Sequence, residues 1–235
     1  MTSRGSGRVL FFALTLLATL MFTALGLWQL QRRVWKLALI THVEQRLHAQ
    51  PTAAPGPGDW SRVTREHDEY RRVKARGLFR NDAETLVRAV TERGPGYWVV
   101  TPLVTGAGTI LVNRGFVPTE RRERAARRAG EHSEVMTITG LLRLSEPDGG
   151  FLRRNDPRAE LWYSRDIAAI ARARDTGTVA PYFIDADANS HPGEWPLGGL
   201  TVVTFRNAHL VYALTWFALA GLSAWGAWLV ARSRP

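Results

Sequence analysis

The sequence contains no cysteine, and this absence removes several kinds of chemistry at once. Disulfide bonds, thiol catalysis, cysteine-ligated zinc and covalent attachment of a c-type haem all require cysteine. Lysine is also scarce: Lys36 and Lys74 are the only two among 31 basic residues, although the formal net charge is +10. No aromatic-interleaved basic motif of an RNA-binding protein is present. We therefore expect the positive charge to attract anionic lipid headgroups, and we expect no nucleic-acid partner.

The common catalytic signatures are absent as well. The sequence has no Gly-x-Ser-x-Gly elbow, no His-Glu-x-x-His motif, no phosphate-binding loop and no dinucleotide glycine fingerprint. Catalytic triads are recognised by geometry and not by residue order, so a triad assembled from distant residues stays open. We nevertheless expect that the protein is not an enzyme.

Two long segments lack any charged side chain. They run from Val9 to Leu27 and from Ala208 to Val230, and about 20 residues suffice for a helix to cross a bilayer core. Arg4 and Arg8 precede the first segment, as in a cleaved signal peptide, but the segment is long for a signal and no convincing small-x-small cleavage site precedes Arg32. The two segments therefore predict two uncleaved transmembrane helices.

This topology divides the chain into five parts. We predict a cytoplasmic tail over residues 1–8, a first transmembrane helix over 9–30, an extracytoplasmic domain over 31–206, a second transmembrane helix over 207–231 and a cytoplasmic tail over 232–235. The short basic tails carry more weight for orientation than the long intervening segment does. The expected location is a bacterial cytoplasmic (inner) membrane, with a multi-pass chain whose large domain lies on the outer side.

The intervening segment is predicted to be an α+β domain with a mainly antiparallel sheet and short helices. Helix is expected to continue from Arg32 to about Arg46, and Pro51–Gly58 is interpreted as a linker. A turn is expected at Gly94–Gly96 and a hairpin at Gly106–Gly108. A charged helix is expected over Thr119–Ala129 with Thr119 as its N-cap, and a second helix over Ser164–Arg174 capped by Ser164. The candidate strands are Tyr70–Gly77, Thr85–Val90, Tyr97–Val104, Thr109–Asn113, Val135–Leu144, Tyr182–Asp185 and Leu200–Phe205.

His209 is the candidate ligand residue. His209, Tyr212 and Trp216 recur at i, i+3 and i+7, which places them on one helix face, and Trp28 ends the first apolar segment at the expected depth of His209. Neutral imidazole binds iron or copper, and aromatic walls suit a flat macrocycle. The alternative is that the aromatic residues form an interfacial belt and His209 caps the helix or bonds a carbonyl group.

Several motifs resemble those of the surfeit locus protein 1 family. Leu25–Ile40 resembles the first-helix signature of that family, Val112–Pro118 its Arg-Gly-aromatic-Val-Pro motif, and Asn207–Phe217 the start of its second helix. Asn155-Asp156 and the following Trp162 also fall where the family has a similar element. The sequence departs from the family at Phe116, where tryptophan is usual, and at Ala208, where a second asparagine often precedes the histidine.

The resemblance implies a biogenesis factor for haem-copper terminal oxidases. The family acts in the maturation of subunit I of cytochrome c oxidase, and bacterial members are reported to bind haem a. The family's proposed haem ligand maps onto His209, which makes His209 the expected metal ligand, with Tyr212, Trp216 and Trp28 as walls. Arg114, Gly115 and Trp35 lie in the matched motifs and are expected to be structural or partner-binding. The implied partners are oxidase subunit I, the haem a biosynthesis machinery and the lipid bilayer, and the alternative is a cofactor-free scaffold.

Overall fold

The computed structural model describes residues 3–147, 149–150, 152–188, 194–201 and 207–232. The chain forms two compact units. One contains most of the long N-terminal helix together with the C-terminal helix, and the other, Glu44–Val202, contains the sheet. The structure therefore confirms a mixed α and β chain with an apolar helix near each terminus.

Helix α1 spans Ser3–His48 and helix α4 spans His209–Arg232. Both are long and apolar enough to cross a membrane. At a rise of about 1.5 Å per residue, α1 is much longer than a bilayer core is thick. The prediction that helix continues beyond Arg32 is confirmed, since α1 ends shortly before Pro51.

The two helices pack against each other through small side chains. Ala213, Ala220 and Ala227 of α4 are buried at a spacing of seven residues. On α1, a Cβ added to Gly26 would lie 2.5 Å from the ring of Phe217. Small residues allow helix backbones to approach closely, and a seven-residue repeat is the pattern of left-handed helix pairs.

The second unit contains seven strands and two short α-helices. The strands are β1 (Thr52–Ala53), β2 (Arg72–Phe79), β3 (Thr85–Thr91), β4 (Gly94–Thr105), β5 (Gly108–Pro118), β6 (Met136–Leu144) and β7 (Val179–Ala186). The helices are α2 (Arg65–Asp68) and α3 (Ile167–Ala173). Of the strand pairs in the described residues, β1–β2 and β5–β7 are parallel and the other five are antiparallel. The expected antiparallel character is thus confirmed in part.

Five of these strands close into a barrel. Strand β2 pairs with β6 over Arg72–Gly77 and then with β4 over Gly77–Phe79. Gly77 stands at the change of partner, where a Cβ would lie 2.3 Å from the carbonyl oxygen of Val104. A glycine at a barrel corner allows this close approach of two backbones. The strand order around the barrel is β2-β4-β5-β7-β6, with β5 and β7 parallel, which is the Greek-key order of the OB-fold.

The barrel has a core inside and a second apolar cluster outside. Alternation along the strands directs Val112 and Ile184 inward, while Leu111 and Phe183 point outward. The outer cluster also contains Trp162 and residues of α3, which cover part of β4 and β5. OB-folds use this side of the barrel to bind oligonucleotides or oligosaccharides, whereas here the chain's own side chains fill it.

Several local predictions are confirmed. The hairpin around residues 106–108 forms between β4 and β5, and the predicted strands over Thr85–Val90, Val135–Leu144 and Tyr182–Asp185 lie within or largely within observed strands. The strand predicted over Leu200–Phe205 lies mostly outside the described residues.

Other local predictions are wrong. The turn expected at Gly94–Gly96 lies earlier, because β4 already begins at Gly94. Thr119–Ala129 is not an α-helix: it forms two 3-10 segments, and Arg127 has non-helical angles because its guanidinium turns inward to Glu84. Pro51–Gly58 is not a free linker, since it contains β1 and packs on the barrel.

The helix predicted from Ser164 also begins later than expected. Helix α3 starts at Ile167, and its N-cap is Asp166, whose carboxylate accepts a hydrogen bond from the Ala169 N–H. Ser164 is buried and accepts hydrogen bonds from the Gly149 N–H and the Asn155 side-chain amide. The serine hydroxyl is therefore used to fix a loop and not to cap a helix.

Candidate functional site: His209 and its surroundings

His209 is the first residue of α4, and its imidazole is half-buried. The Nδ1 atom of His209 lies 2.8 Å from the Oε1 atom of Gln29 on α1. An amide oxygen only accepts hydrogen bonds, so Nδ1 of His209 donates in this pair. In a neutral imidazole the proton on Nδ1 leaves Nε2 with a free lone pair, which is the form that binds metals.

The predicted aromatic residues have different surroundings. Trp216 stacks on Phe22 of α1, with ring centroids 5.6 Å apart. Tyr212 is 56% exposed and Trp28 is 51% exposed. His209 and Trp216 therefore share the side of α4 that contacts α1, whereas Tyr212 and Trp28 present most of their surface outward.

Trp28 belongs to a second arrangement on α1. The guanidinium of Arg32 lies 6.0 Å from the ring centroid of Trp28 and 5.1 Å from that of Trp35. Residues 28, 32 and 35 follow one another on one helix face, where a cation between two aromatic rings is favourable. Trp35 is mostly exposed, so its role as structural or partner-binding residue remains a prediction.

The Arg114-Gly115 turn lies in the barrel unit and is fully packed. Arg114 is buried; its guanidinium bonds the Gly130 carbonyl and the Asn81 side chain (3.2 Å) and lies 4.8 Å from the ring centroid of Phe79. Burial lowers the pKa of Arg114 from its usual value, although nearby Glu84 opposes this effect. These contacts join β5 to Gly130 and Asn81, and the role of Arg114 as a structural or partner-binding residue remains a prediction.

Gly115 lies against a segment that follows β7 in the chain. Its φ angle is +134°, which favours glycine, and a Cβ there would lie 2.1 Å from the Leu197 carbonyl oxygen. The next residue, Phe116, exchanges two backbone hydrogen bonds of 2.9 Å with Leu197. Residues 194–199 thus lie against the end of β5, and along the sequence they lead toward α4.

A buried ionic network surrounds Asp185 of β7. The carboxylate of Asp185 is almost fully buried and accepts hydrogen bonds from Asn113 (2.7 Å), Arg143 (3.0 Å) and Arg165 (2.9 Å). Arg165 also holds Glu146. Burial raises the pKa of Glu146, but the hydrogen bonds and charge of Arg165 outweigh burial and lower the pKa overall. Because each charged group has a partner of opposite sign, this network is structural.

Sequence reasoning missed Gln29, Phe22 and Gly26. In the order Phe22, Gly26 and Gln29 they occur at i, i+4 and i+7 on α1, which is the spacing of one helix face. The periodicity of the first apolar segment could therefore have indicated this face. A glutamine at the end of an apolar helix is a further signal, because a polar side chain in a membrane helix is costly without a partner. Among the described residues, no group of three or more histidine, aspartate or glutamate side chains forms a metal cluster.

Comparison with known proteins identifies the family. The SURF1 family model matches residues 16–221. The chain is 39% identical to Surfeit locus protein 1 of Rattus norvegicus over 218 residues, covering 86% of this chain and 69% of that protein. It is 39% identical to Surfeit locus protein 1 of Homo sapiens, covering 86% and 71%, and 35% identical to the SURF1-like protein of Monosiga brevicollis, covering 94% and 87%. With a match over most of its length and two apolar helices that fit a membrane protein, the chain belongs to the SURF1 family.

Proposed function

We propose that this protein is a membrane-bound assembly factor for a haem-copper (cytochrome c) oxidase, and that it binds haem a through His209 and assists its delivery to subunit I. Membership of the SURF1 family supports the assembly role, since the resemblance implies a factor in subunit I maturation. The observation that carries the haem assignment is the 2.8 Å contact between His209 Nδ1 and Gln29 Oε1.

The Gln29 contact prepares His209 for an axial ligand role. Metal-binding histidines donate their other ring N–H to a carboxylate, carbonyl or water, which fixes the tautomer and the ring orientation. Gln29 supplies such a carbonyl from the facing helix. The donor set therefore fits iron, and bound haem a would supply the iron and the macrocycle that the oxidase requires.

The site is suited to temporary binding. His209 is half-buried at the first turn of α4, and the stacked pair of Trp216 and Phe22 lies two turns further along the helix. One imidazole ligand and a partly open apolar surface hold a cofactor less firmly than an enclosed pocket with two axial ligands. A carrier must release its cargo, so this limited coordination is consistent with transfer to subunit I. In this function no bond of the haem is broken, and the protein is not an enzyme.

The proposed cellular arrangement follows the two apolar helices. We place both helices across a bacterial cytoplasmic membrane as a multi-pass protein, with the termini inside and residues 31–206 outside. The short basic tails support this orientation. The partners would be oxidase subunit I and the haem a biosynthesis machinery, which meet the protein at the outer side of the bilayer.

A cofactor-free scaffold is the second candidate function. One observation favours it: two of the three proposed aromatic walls, Tyr212 and Trp28, are more than half exposed. In a scaffold, the His209–Gln29 contact would only stabilise the packing of α4 on α1. The helices and the barrel would bind an oxidase assembly intermediate.

Purification from cells that make haem a separates the two functions. The haem-binding function predicts a stoichiometric Soret band of haem a in protein from these cells, and no such band in protein from cells that lack haem a synthesis. A colourless protein that still restores oxidase assembly in a deletion strain would support the scaffold instead.

A further inference from the structure

A basic loop with an apolar tip lies on the barrel unit, outside the haem site. Residues 149–164 connect β6 toward α3 and place Leu152 at the surface with 90% of its area exposed. Leu152 is followed by the exposed residues Arg153 and Arg154. We call Leu152, Arg153, Arg154, Arg88 and Tyr163 the Leu152 surface.

Two of the three arginines of this surface lie over the ring of Tyr163. The guanidinium of Arg153 lies 5.3 Å and that of Arg88 lies 5.6 Å from the ring centroid of Tyr163. In the described part of the chain, no ion pair involves Arg88, Arg153 or Arg154. The surface thus carries positive charge that the protein itself does not neutralise.

The carboxylates of the same loop are used elsewhere. Asp156 accepts hydrogen bonds from the backbone N–H groups of Arg158 and Ala159. Glu160 pairs with Arg174, whose hydrogen bond and charge lower the pKa of Glu160. Neither carboxylate therefore forms an ion pair with an arginine of the Leu152 surface.

Hydrogen bonds fix the described part of the loop around Asn155 and Ser164. Asn155 accepts hydrogen bonds from the backbone N–H groups of Tyr163 (2.8 Å) and Ser164 (3.2 Å), and Ser164 accepts one from Gly149 (3.1 Å). Leu152 has a φ angle of +56°, which is uncommon for a residue with a branched side chain. The exposed leucine thus precedes a hydrogen-bonded part of the loop by three residues.

We infer that the Leu152 surface docks on an anionic lipid bilayer, with Leu152 entering below the headgroups and the arginines contacting lipid phosphates. A single leucine offers much less area than a stable protein interface buries, but an apolar tip beside basic residues is sufficient for a supplementary membrane contact. Arginine binds phosphate through two parallel hydrogen bonds. Both ends of the barrel unit continue along the chain into apolar helices, so a membrane contact made by the barrel unit would be tethered and weak affinity would be enough. This inference is independent of haem binding.

A fluorescent label at Leu152 tests the inference in the full-length protein. The natural sequence has no cysteine, so Leu152→Cys provides a unique labelling position. The labelled protein is placed in nanodiscs of phosphatidylcholine alone or with phosphatidylglycerol, each with and without a nitroxide-labelled lipid. Val135→Cys is the matched control, because Val135 is an exposed apolar residue outside the loop.

We expect a blue shift and strong nitroxide quenching at position 152 in the anionic nanodiscs, weak quenching in phosphatidylcholine alone, and none above background at position 135. Arg153→Glu combined with Arg154→Glu, in the Leu152→Cys protein, should reduce quenching to the control level while the thermal unfolding midpoint stays unchanged. Equal quenching in both lipid compositions, equal quenching at both positions, or no quenching at all would overturn the inference. Protection of the label only after addition of oxidase subunit I would assign the surface to a protein partner instead.

Discussion

A Cβ placed on Gly115 would lie 2.1 Å from the carbonyl oxygen of Leu197. This distance is far below a normal contact, and both groups belong to backbone that is held by paired hydrogen bonds between Phe116 and Leu197. The φ angle of +134° at Gly115 adds a second constraint. The Arg-Gly turn is thus explained by the segment that packs on it.

Replacement of Gly115 should therefore destabilise the barrel unit. Gly115→Ala is expected to lower the free energy of unfolding by at least about 1 kcal/mol, because the backbone angle is strained and the 194–199 segment must move. Gly115→Glu should further lower the yield of folded protein. Gly106→Ala is the matched control, since a Cβ at this turn glycine meets no atom within 4 Å. Normal accumulation and normal unfolding of Gly115→Glu, together with failed oxidase maturation, would place Gly115 on a partner surface.

The loss of folding stability at acidic pH should depend on Glu146. Its folded-state pKa lies below the usual value of 4.5, so the carboxylate contributes stability that is fully present above that value. The contribution is lost as the pH falls through the lowered pKa, because the folded state must then accept a proton. Glu146→Gln should be less stable than the natural protein at neutral pH, and the difference should shrink under acidic conditions.

Denaturant unfolding of the detergent-solubilised protein, from neutral to acidic pH, measures the free energy of unfolding of both proteins. Glu120→Gln serves as the control, because it makes the same chemical change at an exposed glutamate. A stability difference for Glu146→Gln that stays constant down to the most acidic samples would show that Glu146 does not carry the pH dependence.

The topology is tested by reporter fusions. With both termini inside, alkaline phosphatase fused near Gly150 should be active and the same enzyme fused to the C-terminus should be inactive. Green fluorescent protein at the two positions should give the reverse pattern. Alkaline phosphatase activity at the C-terminus alone would overturn the proposed orientation.

The sequence predicted the elements of this fold better than their assembly. Periodicity and length identified the apolar helices and the hairpin between β4 and β5, because these features depend on neighbouring residues. Barrel closure depends on the change of partner at Gly77, a contact between distant segments that no local pattern encodes. The helix predicted over Thr119–Ala129 failed for a related reason: burial of Arg127 against Glu84 bends the backbone, and tertiary pairing overrides helix propensity.

At the candidate site, too, local features were predictable from the sequence and contacts between distant segments were not. His209 was identifiable from its position at the start of an apolar helix, whereas its partner Gln29 lies 180 residues earlier in the chain. The i, i+7 spacing placed Trp216 on the helix face of His209, and α1 meets that face through Phe22. The sequence did not reveal that Tyr212 and Trp28 would remain mostly exposed, since exposure depends on how the second helix packs.

Gln29 provides a graded test of the ligand geometry. Gln29→Leu removes the acceptor for His209 Nδ1, and loss of such an orienting partner lowers metal affinity by about 10- to 100-fold. Gln29→Glu keeps an acceptor oxygen at the same position and should retain most of the binding. Titration of the apo-protein with haem a measures both affinities. Equal weakening by the two variants, or by neither, would contradict the orienting role.

The most direct measurement is the haem spectrum of His209→Ala beside the natural protein, both purified from cells that make haem a. Alanine favours helix, so the variant should reach the membrane at a near-normal level. No apolar side chain replaces an imidazole–iron bond, and we expect loss of bound haem a or a large shift of the Soret band. Unchanged haem stoichiometry with an unchanged Soret position would contradict the ligand assignment and favour the cofactor-free scaffold.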